Sequence, residues 1–153
     1  MVSVSLKLLK KLREETSASV ADCRRALEEC GGNYQEALVW LKQHGLKKAD
    51  KKSGRETSQG LIDSYIHQNG RVGALVKLLC ETDFVARTGE FKQLAHELCM
   101  QVAAMNPADV DSLLKQEYIR DSSITVSDLV KSVIAKLGEN IKIKRFQRFE
   151  IGQ

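Results

Sequence analysis

An acid and an aromatic residue stand side by side at the end of an apolar run, in the segment Cys80-Glu81-Thr82-Asp83-Phe84-Val85-Ala86-Arg87. A carboxylate can disturb a bound cation, and a large apolar ring can enter a groove, so the pair Asp83-Phe84 is suited to contact with another molecule. The alternative is an acid at a strand end beside an aromatic residue of the core. The residue types alone favour that alternative.

Catalytic chemistry is not expected elsewhere in the chain. The sequence contains no phosphate-binding glycine loop, no dinucleotide-binding glycine pattern and no G-x-S-x-G motif. His96-Glu97 begins like a zinc-protease motif, but Met100 occupies the place of the second histidine. The four cysteines lack C-x-x-C spacing, which favours buried, reduced thiols over zinc or redox chemistry. We therefore expect a binding protein, not an enzyme, with no catalytic residue, metal or cofactor.

Composition sets the class of protein. The 153 residues are 42% hydrophobic and 29% charged, which is ordinary for a soluble globular protein of one or two small domains. No apolar run approaches the roughly 20 residues needed to span a bilayer. The amino terminus alternates Leu with Lys, unlike a signal peptide. These features predict a cytoplasmic protein without membrane attachment.

Residues 1–46 have the apolar spacing of three short helices that pack as a bundle. Ser19 stands where a helix cap is expected, and Gly31-Gly32 marks the end of that second helix. Asn33 is placed to cap the third helix, for which Gly45 is the predicted end. The side chains predicted to face the core are Leu6, Leu8, Leu9, Leu12, Val20, Cys23, Ala26, Leu27, Cys30, Ala37, Leu38, Trp40 and Leu41.

Residues 47–59 form a basic segment with almost no apolar side chains. Such a segment cannot bury a face, although its first half can remain helical. We interpret it as a linker between two domains. Contact with RNA is the alternative to a solvated spacer, and the spacer is favoured.

A β-hairpin is predicted after the linker. Two β-rich runs are separated by Asn69-Gly70, a dipeptide typical of a type I′ turn with positive φ at both central residues. A two-residue loop makes the register predictable, with Gln68 opposite Arg71 and Tyr65 opposite Ala74. The second strand is expected to continue to Thr82.

The remaining chain reads as helices followed by one more strand. Helices are predicted from Gly89, Asp109 and Ser127, and Gly138 ends the last of them. Residues 141–146 alternate with period two and predict a third strand that pairs with the hairpin. Residues 60–153 are thus expected to form a domain with a three-stranded antiparallel sheet packed against helices, which makes the whole chain α+β.

Three groups of residues, in this order, closely resemble the bacterial translation elongation factor Ts family. They are Leu12 to Thr16 with Asp22 to Leu27, Gly32-Asn33 and Ala37; then Thr82 to Ala86; then Gly138 to Ile143 with Arg145. The resemblance extends over nearly the whole chain. It implies that residues 1–46 resemble a ubiquitin-associated (UBA) domain, and that the chain is a guanine-nucleotide exchange factor for the GTPase elongation factor Tu.

The resemblance also implies roles for the central motif. In this family the corresponding loop enters the partner near its nucleotide and promotes GDP release by disturbing the magnesium and phosphate site. Carried over to this sequence, Phe84 is the wedge, Asp83 is the acid that perturbs the magnesium surroundings, and Thr82 and Val85 shape the loop.

A second contact with elongation factor Tu is implied for the turn before the second helix, at Ala18, Ser19, Val20 and Ala21. The family usually has glycines where Ser17 and Ser19 stand here, so this sequence departs from the pattern. A core position in the bundle is the alternative for Val20.

Longer family members carry a second core subdomain and a helical hairpin, whereas here residues 117–127 lead directly into the last helix. A small sheet is then left uncovered, and short family members resolve this by pairing two copies, so we expect a homodimer through the core domain.

Two other functions stay open: a UBA-type interaction module without exchange activity, and a small RNA-binding protein. The net charge of +4 and the lack of clustered aromatics argue against direct nucleic-acid binding. The source is expected to be a bacterium, with an organelle as the alternative.

Overall fold

The computed structural model describes residues 3–153 and confirms the α+β fold. The elements in chain order are α1 (Leu6–Thr16), α2 (Val20–Glu29), α3 (Tyr34–Lys51), β1 (Gln59–Ile66), β2 (Val72–Cys80), α4 (Asp83–Ala86), α5 (Gly89–Met105), α6 (Val110–Lys115), β3 (Glu117–Tyr118), β4 (Asp121–Thr125), α7 (Val126–Leu137) and β5 (Ile141–Glu150). The chain divides between Lys51 and Lys52 into two compact units, each of which is described by itself. The predicted limits 1–46, 47–59 and 60–153 stay predictions, and Met1 and Val2 lie outside the described residues.

The first unit, called the helical unit, is a bundle of α1, α2 and α3. Its buried core consists of Leu12, Cys23, Ala26, Leu27, Ala37 and Leu41, all of which carry the predicted periodicity. Ser19 caps α2, since its hydroxyl accepts a hydrogen bond from Asp22 N at 3.0 Å. Asn33 Oδ1 accepts from Gln35 N and Glu36 N, which confirms the predicted start of α3.

Three expectations for the helical unit are wrong. Helix α3 does not end at Gly45 but continues to Lys51, because the penalty of about 1 kcal/mol for one internal glycine is outweighed by helix-forming residues after it. Val20 is not a core residue, since 47% of it is exposed. It is the first residue of α2, where the chain enters the helix from the surface. Leu6 is likewise exposed instead of buried.

The second unit, called the core unit, is built on an antiparallel sheet in the order β1-β2-β5. The predicted register is confirmed, with Tyr65 opposite Ala74, and β5 pairs with the hairpin as expected. The turn type is wrong. Gly70 has positive φ and Asn69 does not, so the turn is not type I′; instead, Gly70 N donates to His67 O at 2.7 Å.

One face of this sheet packs against α5. Ala74, Val76, Leu78 and Cys80 of β2 are buried on that face, and Phe91 of α5 is fully buried. The opposite face, called the open face, carries the exposed residues Ile62, Ser64 and Ile66 of β1, Leu75 and Lys77 of β2, and Arg145, Gln147 and Phe149 of β5.

The short ribbon of β3 and β4 is not predicted from the sequence, because its two strands have too few residues to show a strand period. Polar groups of α5 hold it. The Gln101 side chain is fully buried and bonds to Glu117 O and Ile119 N, both at 3.0 Å. Glu97 accepts a hydrogen bond from the Tyr118 hydroxyl at 2.6 Å, and the burial of Tyr118 together with this bond raises its pKa to about 12.

Candidate functional site

The central motif is a single helical turn placed at the end of a strand. Backbone pairing of β2 stops at Cys80, and α4 begins at Asp83, so the expectation of a strand reaching Thr82 and then a loop is wrong. Thr82 is the N-cap of α4, because its hydroxyl accepts a hydrogen bond from Val85 N at 3.3 Å. We call residues Thr82–Val85 the tip.

The helical turn sends the two apolar side chains of the tip in different directions. Val85 is 5% exposed and belongs to the core, whereas Phe84 is 79% exposed. The interpretation of Phe84 as a core aromatic is therefore wrong. Burial of a phenyl ring contributes about 1.5 to 3 kcal/mol of stabilisation, which an exposed ring does not receive. Contact with a partner surface can supply this stabilisation.

Asp83 lies beside Phe84 and is also exposed. Its Oδ2 is 2.5 Å from the Arg87 Nη2, one helical turn later. Both side chains are more than half exposed, so the pair is weak and can exchange for another cationic partner.

Thr82 is fastened to the segment that precedes β5. Its backbone N donates to Glu139 Oε1 at 2.9 Å and its hydroxyl donates to Glu139 Oε2 at 2.7 Å. In the opposite sense, Asn140 N donates to Glu81 Oε1 at 2.7 Å. This contact of Glu139 is not predicted from the sequence, because Glu139 lies 57 positions after Thr82.

Asn140 ties the basic segment 47–59 to the same place. Its side chain is buried and its Nδ2 donates to Arg55 O at 2.8 Å and to Ser53 O at 3.3 Å. Arg55 also lies 3.6 Å from the Glu81 carboxylate. Part of the segment interpreted as a solvated spacer is therefore bound to the core unit.

The cysteine nearest the tip is structural. Cys80 is buried, and burial, with Glu139 nearby, raises the pKa of its thiol. The Cys80 Sγ donates to Thr82 O at 3.1 Å. Cys23, Cys30, Cys80 and Cys99 are all free thiols, and burial raises the pKa of each, to about 12 for Cys99. A neutral thiol is a poor nucleophile, so these positions do not favour covalent chemistry.

The second predicted contact, Ala18–Ala21, is called the N-terminal turn and lies in the helical unit. Ala18 packs partly on the bundle core, whereas Ser19, Val20 and Ala21 are exposed. Asp22 follows directly, and its Oδ2 forms an ion pair with the Lys48 Nζ at 2.7 Å. Burial of Asp22 works to raise its pKa, but hydrogen bonds from Lys48 and Ser19 outweigh burial and hold the pKa below 3.8.

Residues 3–153 include no group of three or more His, Cys, Asp and Glu side chains arranged to hold a metal ion. None of the helices in this part of the chain has the length and apolar character to cross a membrane. The tip has an exposed ring, an exposed carboxylate and an anchored backbone, a combination that is suited to binding another molecule.

Comparison with known proteins agrees with the motifs. A family model described as Elongation factor TS matches residues 81–153. The chain is 42% identical to the chloroplastic elongation factor Ts of Guillardia theta, over 99% of this chain and 90% of that protein. It is 40% identical to elongation factor Ts of Oleidesulfovibrio alaskensis, over 99% of this chain and 100% of that protein. It is 36% identical to the one of Desulfosudis oleivorans, over 100% of both. The first alignment spans 198 positions against 153 residues here, so that relative has segments that this chain lacks. The chain belongs to the elongation factor Ts family.

Proposed function

We propose that this protein is a guanine-nucleotide exchange factor that binds the GDP form of the GTPase elongation factor Tu and promotes release of GDP. The observation that carries the proposal is the tip, where Phe84 is 79% exposed beside the exposed Asp83 on an anchored helical turn. A large apolar side chain held in water at a fixed position is typical of a binding surface. The site of action is the cytoplasm of a bacterium or the interior of an organelle.

In this mechanism the tip acts on the magnesium and phosphate site of the partner. Magnesium requires near-ideal octahedral geometry and links protein oxygens to phosphates, so a small displacement of its ligands weakens nucleotide binding. Phe84 enters between elements of the partner and moves them. Asp83 brings a negative charge toward the magnesium surroundings and exchanges its pair with Arg87 for a partner group.

One ring cannot account for a large effect. Burial of Phe84 supplies at most about 3 kcal/mol, which corresponds to about a hundredfold in an equilibrium constant. Coupling is reciprocal, so the nucleotide weakens binding of this protein by the same factor by which this protein weakens binding of the nucleotide. Further contacts must hold the complex, and we assign them to the N-terminal turn, where Val20 is 47% exposed.

The test is release of labelled GDP from elongation factor Tu. We expect the intact protein to accelerate release, and Phe84→Ala to lose between about tenfold and a hundredfold of its efficiency. The matched control is Ile151→Ala, which removes another exposed apolar side chain away from the tip and should act like the wild type. No acceleration by the intact protein rejects the exchange function. Full activity of Phe84→Ala rejects the wedge. Binding to elongation factor Tu without acceleration, equally strong in Phe84→Ala, favours a UBA-type module whose binding does not use the core unit.

We also propose that two copies pair through the open face of the core unit. Ile66 and Phe149 both lie opposite Gly73, which has no side chain, and they are 68% and 64% exposed. Ile62 and Leu75 extend this apolar area along the sheet. A second sheet stacked on this face would bury all four side chains.

Sedimentation measures the pairing. We expect a dimer at micromolar concentration and a monomer for Phe149→Asp, with Ile119→Asp as a control that stays dimeric, because Ile119 is also exposed but lies between β3 and β4, outside the open face. A monomeric wild type, or a dimeric Phe149→Asp, contradicts this interface.

A further inference from the structure

We propose that Glu139 is a positioning residue that holds the tip in the orientation that displays Phe84. The carboxylate takes two hydrogen bonds from Thr82, one from the backbone N at 2.9 Å and one from the hydroxyl at 2.7 Å. The consequence for GDP release rests on the proposed function, whereas the effect on the tip itself does not.

The register of the sheet explains why these residues meet. Cys80 is opposite Ile141 in the antiparallel pair of β2 and β5. Continuing this register by one position places Glu81 opposite Asn140, and by two positions it places Thr82 opposite Glu139. The backbones have separated there, and the two carboxylates take the place of backbone carbonyls by accepting the Asn140 and Thr82 N–H groups. Side chains thus extend the strand pairing for two residues beyond its end.

The tip needs such an external hold because α4 is only four residues long. A single turn of helix is unstable alone, since it orders several residues for very few hydrogen bonds. The Thr82 hydroxyl has one proton, which it donates to Glu139, and its lone pairs remain available to accept from Val85 N. Glu139 therefore orients the very hydroxyl that caps α4.

Glu139 is itself held on a fixed backbone. Gly138 ends α7 with φ +76°, a left-handed conformation that favours glycine, and so turns the chain toward Glu81 and Thr82. The next residue, Asn140, is 2% exposed and bonded through its backbone and its side chain. Both carboxylate oxygens of Glu139 are bonded to Thr82, so the group acts as a tether for the tip.

Amide hydrogen exchange of the full chain tests the tether without any partner. We expect Glu139→Ala to speed exchange of the Val85–Thr88 amides by about tenfold, because hydrogen bonds to a charged acceptor are lost, and Glu139→Gln to give an intermediate rise. The matched control is Glu117→Ala, which removes an exposed carboxylate of β3 that makes no bond to Thr82. Rates in Glu139→Ala within about twofold of the wild type, or an equal rise in Glu117→Ala, overturn the proposal.

GDP release from elongation factor Tu tests the consequence. We expect Glu139→Ala to lower the maximal acceleration at saturating protein by about tenfold, with less than threefold change in the concentration for half-maximal effect, and Glu139→Gln to restore part of it. If the intact protein accelerates release and Glu139→Ala matches it, the proposal is overturned, because the orientation of the tip then does not matter. If the intact protein itself does not accelerate release, the proposed function fails, and hydrogen exchange alone decides whether Glu139 holds the tip.

Discussion

The N-terminal turn and the tip are built on the same local plan. Each begins a helix with a capping hydroxyl, Ser19 in one case and Thr82 in the other. Each has an exposed apolar residue soon after the cap, Val20 at 47% and Phe84 at 79%. They differ in what holds the cap. The Ser19 hydroxyl donates to Asp22, three residues away, whereas the Thr82 hydroxyl donates to Glu139, 57 residues away.

The lengths of the two helices explain this difference. Helix α2 has ten residues and packs a buried face on the bundle, so a local cap is enough. Helix α4 has four residues, about one helical turn, so its order depends on the tertiary contact. A helix as short as α4 can thus be ordered when a distant segment of the chain holds its first residue.

The largest expected effect is on amide exchange when the capping hydroxyl of Thr82 is removed. Thr82→Val keeps the shape of the side chain but removes the hydroxyl that bonds to the Glu139 carboxylate and caps α4, while the backbone N–H bond to Glu139 remains. A hydrogen bond to a charged group contributes roughly 1.5 to 3 kcal/mol, so we expect amide exchange at Val85–Thr88 to rise by about tenfold or more.

The matched change in the helical unit is Ser19→Ala. Loss of an N-cap costs roughly 1 kcal/mol, and here the loss is shared by the whole of α2. We therefore expect no local release of the first turn but a lower melting temperature of the helical unit. If Ser19→Ala raised amide exchange in the first turn of α2 as much as Thr82→Val raises it at the tip, the two caps would not differ in how they are held.

A pH dependence of intermediate size is expected in the helical unit alone. The pKa of Asp22 is lowered in the folded state from its ordinary value of 3.8. Its carboxylate therefore stabilises the unit above pH 3.8, and this stability is lost as the pH falls through the folded pKa. The groups that face it are Lys48, Ser19 and His44. Trp40 is the only tryptophan and lies in this unit, so its fluorescence reports thermal unfolding there.

The control is Asp22→Asn. We expect it to lower the melting temperature by a few degrees at neutral pH and to flatten the decline below about pH 4, since a surface-accessible pair contributes about 1 kcal/mol at most. An unchanged decline in Asp22→Asn would assign the acid sensitivity to other carboxylates.

The smallest effect is expected for Arg87→Ala, which removes the ion pair with Asp83. Because both groups are more than half exposed, we expect less than about threefold change in exchange at the tip. A rise comparable with that of Thr82→Val would show that the tip is held by its own ion pair and not by Glu139. Repeating the measurement at high salt should give nearly the same result in the variant and the wild type.

Much of the fold was predictable because its signals are local. The helix caps at Ser19, Asn33 and Asp109 and the helix end at Gly138 are each visible within a few residues, and the structure contains all of them. The hairpin register was also correct, although the turn conformation at Asn69 was not. The end of α3 was missed because the single glycine at position 45 is a weak signal against the helix formers that follow it.

The site was predictable only in part. The motif around Asp83 and Phe84 was visible in the sequence, and together with the two other motifs it indicated the family to which the chain belongs. The role of Glu139 was not seen, yet one signal was available. Once strand β5 is placed next to β2, the antiparallel register itself brings Glu139 to Thr82.

The sequence by itself determined the periodicities, the caps, the order of helices and strands, and the family, because all of these depend on residues close together in the chain. Only the tertiary structure decided that Phe84 faces water while Val85 enters the core, and that one sheet face stays open. It also decided that Glu139 extends the strand pairing to hold Thr82. The physical reason is that burial and hydrogen bonding between distant segments depend on how the strands and helices pack, and a local pattern does not record that packing.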